Sequence, residues 1–101
     1  MGFFNNLTIS DLDVNFVKEY LRIDSTYVED DELLTICIKS SESYIKNYLK
    51  IDTLDDLEQE TDIIIACLSL TQHFYISKIT NSDSPIDKSL VKSLRDKYIY
   101  Y

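Results

Sequence analysis

The sequence predicts an all-α fold, a compact bundle of about four helices, and three observations carry that expectation. Gly2 is the only glycine and Pro85 the only proline, where an average chain of this length holds roughly seven and five. A sheet of several strands needs tight hairpins, and no Asn-Gly, Asp-Gly or Gly-Gly pair occurs. Apolar residues instead recur at spacings of three and four, which lays them along one face of a helix. With 101 residues, 45% of them hydrophobic, the chain can build one modest core. A single helical domain is therefore expected over 1–101, with a short N-terminal arm at 1–9 and a C-terminal tail at 98–101.

Ser10-Asp11-Leu12-Asp13 reads as an N-cap with an acid three residues on, which would satisfy orphan amides and face the positive end of a helix dipole. A first helix is expected at 11–22, its stripe made by Val14, Val17 and Leu21 with Phe16 and Tyr20 beside them, until Asp24-Ser25-Thr26 breaks it. Glu29-Asp30-Asp31-Glu32 places negative charge at a second start, and Leu34, Cys37, Ile38, Ser41, Tyr44, Ile45, Tyr48 and Leu49 follow with helical period, predicting a helix over 30–50. From Asp52 to Asp62 there are six acids and no base. Thr53-Leu54-Asp55-Asp56 there is another cap signature, so a short turn near 53–58 and a corner with solvated acids are expected.

The most apolar segment comes next, Ile63 to Ile76 within a helix expected at 61–79. Its apolar residues cover most of the circumference, the mark of a central helix. The helices at 30–50 and 61–79 are expected to form a central antiparallel pair. After the polar stretch Thr80 to Ser84, Pro85 suits the first turn of a last helix at 86–98, lined by Ile86, Leu90, Val91 and Leu94. The chain closes on Tyr98-Ile99-Tyr100-Tyr101, a sticky terminus.

Composition excludes several functions. A net charge of −8, with eight Lys and only Arg22 and Arg95 as arginines, works against gripping phosphate and against sequence-specific reading of bases. Continuous apolar runs such as Ile63 to Leu68 fall short of the roughly 18 to 20 residues that cross a bilayer, and the N-terminus lacks a basic leader. A soluble protein without a membrane partner is expected. Asp11, Asp13 and Asn15 copy the first ligand positions of a calcium loop, but Phe16 stands where glycine is needed and Arg22 where the bidentate acid belongs.

Cys67 and His73 are six residues apart, about 120° around a helix, and do not converge. His73 is expected as a boundary or core imidazole with a hydrogen-bond partner, and Cys37 and Cys67 as buried, reduced thiols. No glycine-rich phosphate loop, nucleophile elbow or metal-ligand spacing occurs, so no catalytic, cofactor-binding or metal-binding residue is assigned. The informative excess is tyrosine, eight in all, a residue enriched where surfaces meet.

The order of features resembles a known family. Ile9-Ser10-x-Leu12 opens the chain's first turn, Val17-Lys18-Glu19-Tyr20-Leu21-Arg22-Ile23-Asp24 follows, and the acidic start Glu29-Asp30-Asp31-Glu32-Leu33-Leu34 leads a helix closing in Ser43-Tyr44-Ile45-Lys46-Asn47-Tyr48. Leu70-Thr71-Gln72-His73-Phe74-Tyr75, then Ser84-Pro85-Ile86 and Leu90-Val91-x-x-Leu94-Arg95, continue the likeness over about residues 8 to 98. Together they are similar to the head-tail connector (adaptor) family of tailed bacteriophages and prophages. The chain departs from that pattern with Leu49-Lys50 where the family often has Thr-Gly, Thr61 where it often has Pro, and Phe74 where Trp is common.

The resemblance implies a non-enzymatic structural subunit that needs no cofactor. It implies a ring, dodecameric in the virion, beneath the portal at the capsid-tail junction, formed from subunits made in the host cytoplasm. Such a ring completes DNA packaging, extends the channel through which double-stranded DNA passes without sequence-specific binding, and meets a downstream connector or tail-completion protein. Candidate portal or intersubunit contacts are Leu94, Tyr98, Ile99, Tyr100 and Tyr101, then Phe3 and Phe4. The competing expectation is a small acidic regulatory protein of phage origin, a DNA mimic or inhibitor whose carboxylates face a basic partner.

Overall fold

A helix that is apolar on most sides has to be wrapped, and the segment from Thr61 fills that role. The computed structural model describes residues 7–81 and Lys92. The described residues form three α-helices, α1 (Val14–Leu21), α2 (Asp31–Leu49) and α3 (Thr61–Thr80), with one 3-10 turn at Ile9–Asp11 before α1 and a second at Asp55–Leu57 between α2 and α3. Among the described residues there is no strand, so the all-α class holds. The helix expected at 86–98 lies outside the described residues except for Lys92, which is helical and exposed, so three helices are seen where about four were expected.

Ile63, Ile64, Ala66, Cys67, Leu68, Leu70, Thr71 and Tyr75 of α3 are buried, an arc of roughly 200° at 100° per residue. Against them pack Leu34, Cys37, Ile38, Ile45 and Leu49 of α2, with Ile9, Leu12, Val17 and Leu54 closing the cluster. Tyr75 meets Asp30 at the head of α2, and Thr71 meets Ser41 near its middle. Position rises along α2 as it falls along α3, so the pair is antiparallel. At 20 residues α3 is long and apolar enough to cross a bilayer, which the count of uninterrupted apolar residues overlooked. Its burial against α2 is how the core helix of a globular bundle uses the same composition.

Small side chains line the centre of this contact. Ser41 Oγ and Thr71 Oγ1, both buried, lie 2.9 Å apart. Each also reaches a carbonyl of its own helix at 2.7 Å, Ser41 that of Ile38 and Thr71 that of Cys67. Two hydroxyl protons serve three contacts, so at any instant one hydroxyl donates across the helix pair while the other donates within its own helix.

The start of the first helix differs from expectation. Ser10 does not cap it. Asp11 Oδ2 accepts from the Thr8 amide at 3.0 Å and the Thr8 hydroxyl at 3.1 Å, which closes the short turn Ile9–Asp11. The cap of α1 is Asp13, whose Oδ1 accepts from the Phe16 amide at 2.9 Å. After α1, Asp24 Oδ1 accepts from the amide and hydroxyl of Thr26, at 2.9 and 2.7 Å, and turns the chain toward α2.

All three α-helices end on a left-handed residue that is not glycine: Arg22 at φ 61°, Lys50 at φ 59° and Asn81 at φ 53°. After α1 and α2, the Ile23 amide donates to Lys18 O at 2.8 Å and the Ile51 amide to Lys46 O at 3.0 Å. These are Schellman closures, and Ile23 and Ile51 fold back onto the core as such motifs require. Lys50 thus takes, with a Cβ, the conformation that a Thr-Gly turn would supply without one. Lys50→Gly should raise the thermal midpoint by a few degrees, an expected gain of about 0.5–1 kcal/mol; Lys50→Val should lower it, with calorimetry as the readout.

Candidate interaction surfaces

Two neighbouring carboxylates at the start of α2 gather the other helices. Lys18 on α1 is 2% exposed, and its ammonium lies 2.5 Å from Asp31 Oδ1. That oxygen is shielded from solvent and has no other partner among the described residues, although the Asp31 side chain is 41% exposed in total. One residue earlier, Asp30 Oδ2 accepts from the Tyr75 hydroxyl at 2.6 Å. Burial first, and then the Asp30 carboxylate, push the Tyr75 phenol up to about 12. The acidic run expected to serve the helix dipole therefore also fastens α1 and α3. Lys18 stands at the third place of the spacing Val14, Val17, Lys18, Leu21, which was the signal available in the sequence: a cation within an apolar stripe calls for a buried acid.

At the other end of the pair, the N-terminal turn is tied to the corner between α2 and α3. The Ile9 amide donates to Glu58 O at 2.9 Å, the Ser10 amide donates to Glu58 Oε1 at 2.6 Å, and the Ser10 hydroxyl donates to the same oxygen. The Ser10 hydroxyl and amide hold the Glu58 carboxyl below its usual value. Glu58 thus departs from the expectation that every acid of this corner is solvated. Beside the tie lies a cleft of about 260 Å³, lined by Ser10, Leu12, Glu42, Lys46, Leu54 and Glu58 among others. Burial raises the Glu42 carboxyl, with Lys46 opposing. The two carboxylates of the cleft are thus shifted in opposite directions, Glu58 being committed to Ser10.

Reactive groups are placed for packing. Cys37 and Cys67 are buried free thiols; burial pushes Cys67 up to about 12 and raises Cys37. Thiolate, the nucleophilic form, is suppressed at both. His73 is half-buried, its ring edge-on to Phe74 at 5.8 Å, and the hydrogen-bond partner expected for it is not found among the described residues. Among those residues no three of His, Cys, Asp and Glu gather as a metal site.

What remains is surface. The outward side of α2 carries exposed Ile36, Lys39, Ser40, Ser43, Asn47 and Lys50, and that of α3 carries Ile65, Gln72, Ile76 and Ile79. The corner presents Asp52, Asp55, Asp56 and Glu60. Phe3, Phe4, Leu94, Tyr98, Ile99, Tyr100 and Tyr101, the contacts expected from the sequence, lie outside the described residues.

The family model described as Phage gp6-like head-tail connector protein matches residues 12–100, which takes in α1, α2, α3 and the segment that follows. The chain belongs to that family. Comparison with curated proteins and with solved structures gave no match. The connector family is a structural one, typically without enzymatic activity, acting at the capsid-tail junction of the phage virion. Self-association and portal or tail partners come with membership in general terms. In this connector the described side chains form ties between helices.

Two outcomes follow for these ties. Lys18→Ala should cost about 1–3 kcal/mol, less than loss of a fully buried pair because Asp31 can be hydrated, and Lys18→Met should recover part of it; urea unfolding measures both. The Glu58 carboxyl is lowered on folding from an ordinary value of 4.5, so its contribution is present above that pH and disappears as pH falls through the lowered value. Acid unfolding should therefore show a smaller pH dependence for Glu58→Gln, and for Ser10→Ala, than for the native connector.

Proposed function

We propose that this connector is a single-domain subunit that assembles into a ring, dodecameric in the virion, beneath the portal. The ring extends the DNA channel, completes packaging and offers its far side to a downstream connector or tail-completion protein. The observation that carries this reading is the family match over residues 12–100. The physical chemistry agrees with it. A ring needs one patch of each subunit to meet a different patch of the next, and the helical unit has distinct faces on α2, α3 and the acidic corner.

An acidic subunit also suits a DNA channel, since few available cations let a polyanion slide without being held. Lys18, spent on Asp31 and 2% exposed, is removed from any such bore. Subunits would gather in the host cytoplasm and finish at the capsid-tail junction. The portal or intersubunit contacts proposed at the chain's ends are Leu94, Tyr98, Ile99, Tyr100 and Tyr101, with Phe3 and Phe4, aromatic and aliphatic side chains of the kind that anchor interfaces.

Light scattering of the purified protein, alone and with its cognate portal protein, tests the reading. A mass near a dozen subunits, or co-migration with portal, is the expected result. A persistent monomer that ignores portal would sink it and favour a small acidic binding protein. Truncation after Lys97 should leave the far-ultraviolet spectrum and thermal midpoint unchanged while weakening assembly. Normal rings from the truncated chain would remove the C-terminal tail from the interface.

A further inference from the structure

We infer that the outward face of α2 seats on the acidic corner of a second copy of this chain. This rests on the connector reading, because only an assembling subunit requires a contact between copies.

The face is a strip. Ile36, Lys39, Ser43 and Asn47 fall on one side of α2, within roughly 40° of a common line and over about 16 Å of helix, and Lys50, the left-handed residue that ends the helix, stands at the foot of that line. All five are exposed. Among the described residues Lys39 and Lys50 make no ion pair, Lys39 acting on the Glu42 carboxyl only as a neighbouring charge, while the serine and asparagine between them keep the surface low. Ile36, 56% exposed at one end, offers an apolar anchor. The complementary patch is the corner after α2, where Asp52, Asp55, Asp56 and Glu60 are exposed without a base among residues 52–62. Among the described residues Asp52 and Asp56 are also without an ion pair.

The positive strip is on the side of the helix pair and the negative one at its end, so one copy's side can meet the next copy's end, as an asymmetric contact demands. Charge bookkeeping favours this occupant. Copies carrying −8 each repel one another unless their few cations face the neighbour's acids. Double-stranded DNA is the poorer fit: the strip has no arginine, and a phosphate track running along it past Lys50 would meet Asp52 and Asp56.

The test uses the full chain with two surface variants, Lys39→Glu/Lys50→Glu and Asp52→Lys/Asp56→Lys, circular dichroism confirming that both remain folded. Sedimentation velocity, with and without cognate portal protein, reads assembly. Each variant alone should assemble at least tenfold more weakly than the native chain. An equimolar mixture should recover assembly, because altered strip then meets altered corner and native corner meets native strip in alternation.

Native-like assembly of either variant overturns the inference, and so does a mixture that fails to recover. Lost retention of DNA without lost assembly by the lysine variant overturns it in favour of a phosphate surface. In all three cases the native chain still assembles and the connector reading stands; a native chain that stays monomeric even with portal overturns that reading as well.

Discussion

The Lys18 ammonium on Asp31, with the Tyr75 hydroxyl on Asp30 beside it, brings the first turn of α2 into contact with α1 and α3. The arrangement matters because α1 is short. Eight residues are far below the roughly 12 to 15 at which an isolated helix holds together in water. Its cap on Asp13, its left-handed end at Arg22, and one buried aliphatic, Val17, contribute modestly. A cation inside its apolar stripe converts that face into one with a single solution. Lys18 must find an acid, and the acid it finds opens α2, which packs with α3 to form the core.

That pair is governed by α3. With an apolar arc covering more than half its circumference, α3 has to be enclosed by α2 on one side and by the N-terminal turn and the Leu54 corner at its start. Ser41 and Thr71 then set the register. Sliding either helix by a turn would leave each hydroxyl on the carbonyl of its own helix but would forfeit the buried contact between them. Apolar area supplies the affinity between the helices, and two small hydroxyl residues select one alignment.

Much of this was legible in the residues, and the exceptions share a cause. Periodicity placed α2 and α3 within a residue at each end, 30–50 against Asp31–Leu49 and 61–79 against Thr61–Thr80, because long amphipathic or apolar runs carry their own signal. It misplaced the start of α1, since Ser10 is taken by Glu58, 48 residues away, and no local pattern encodes a contact at that distance. Lys18 was visible as an anomaly in its stripe, though its partner was not. Glu58 was indistinguishable in sequence from the solvated acids around it. The surfaces were the least legible, because exposed residues are constrained by partners that the chain does not contain.

The tie between Ser10 and Glu58 fixes where the chain enters the bundle. Residue 7 approaches from the end where α2 runs into the corner, while residue 81 leaves from the opposite end, past Tyr75 and the head of α2. Entry and exit are therefore separated by the length of the helix pair, about 28 Å for the 19 residues of α2. A subunit wired in this way behaves as a spacer of set length. Whatever attaches to one end is held a fixed distance from whatever attaches to the other, a distance set by the rise of a helix.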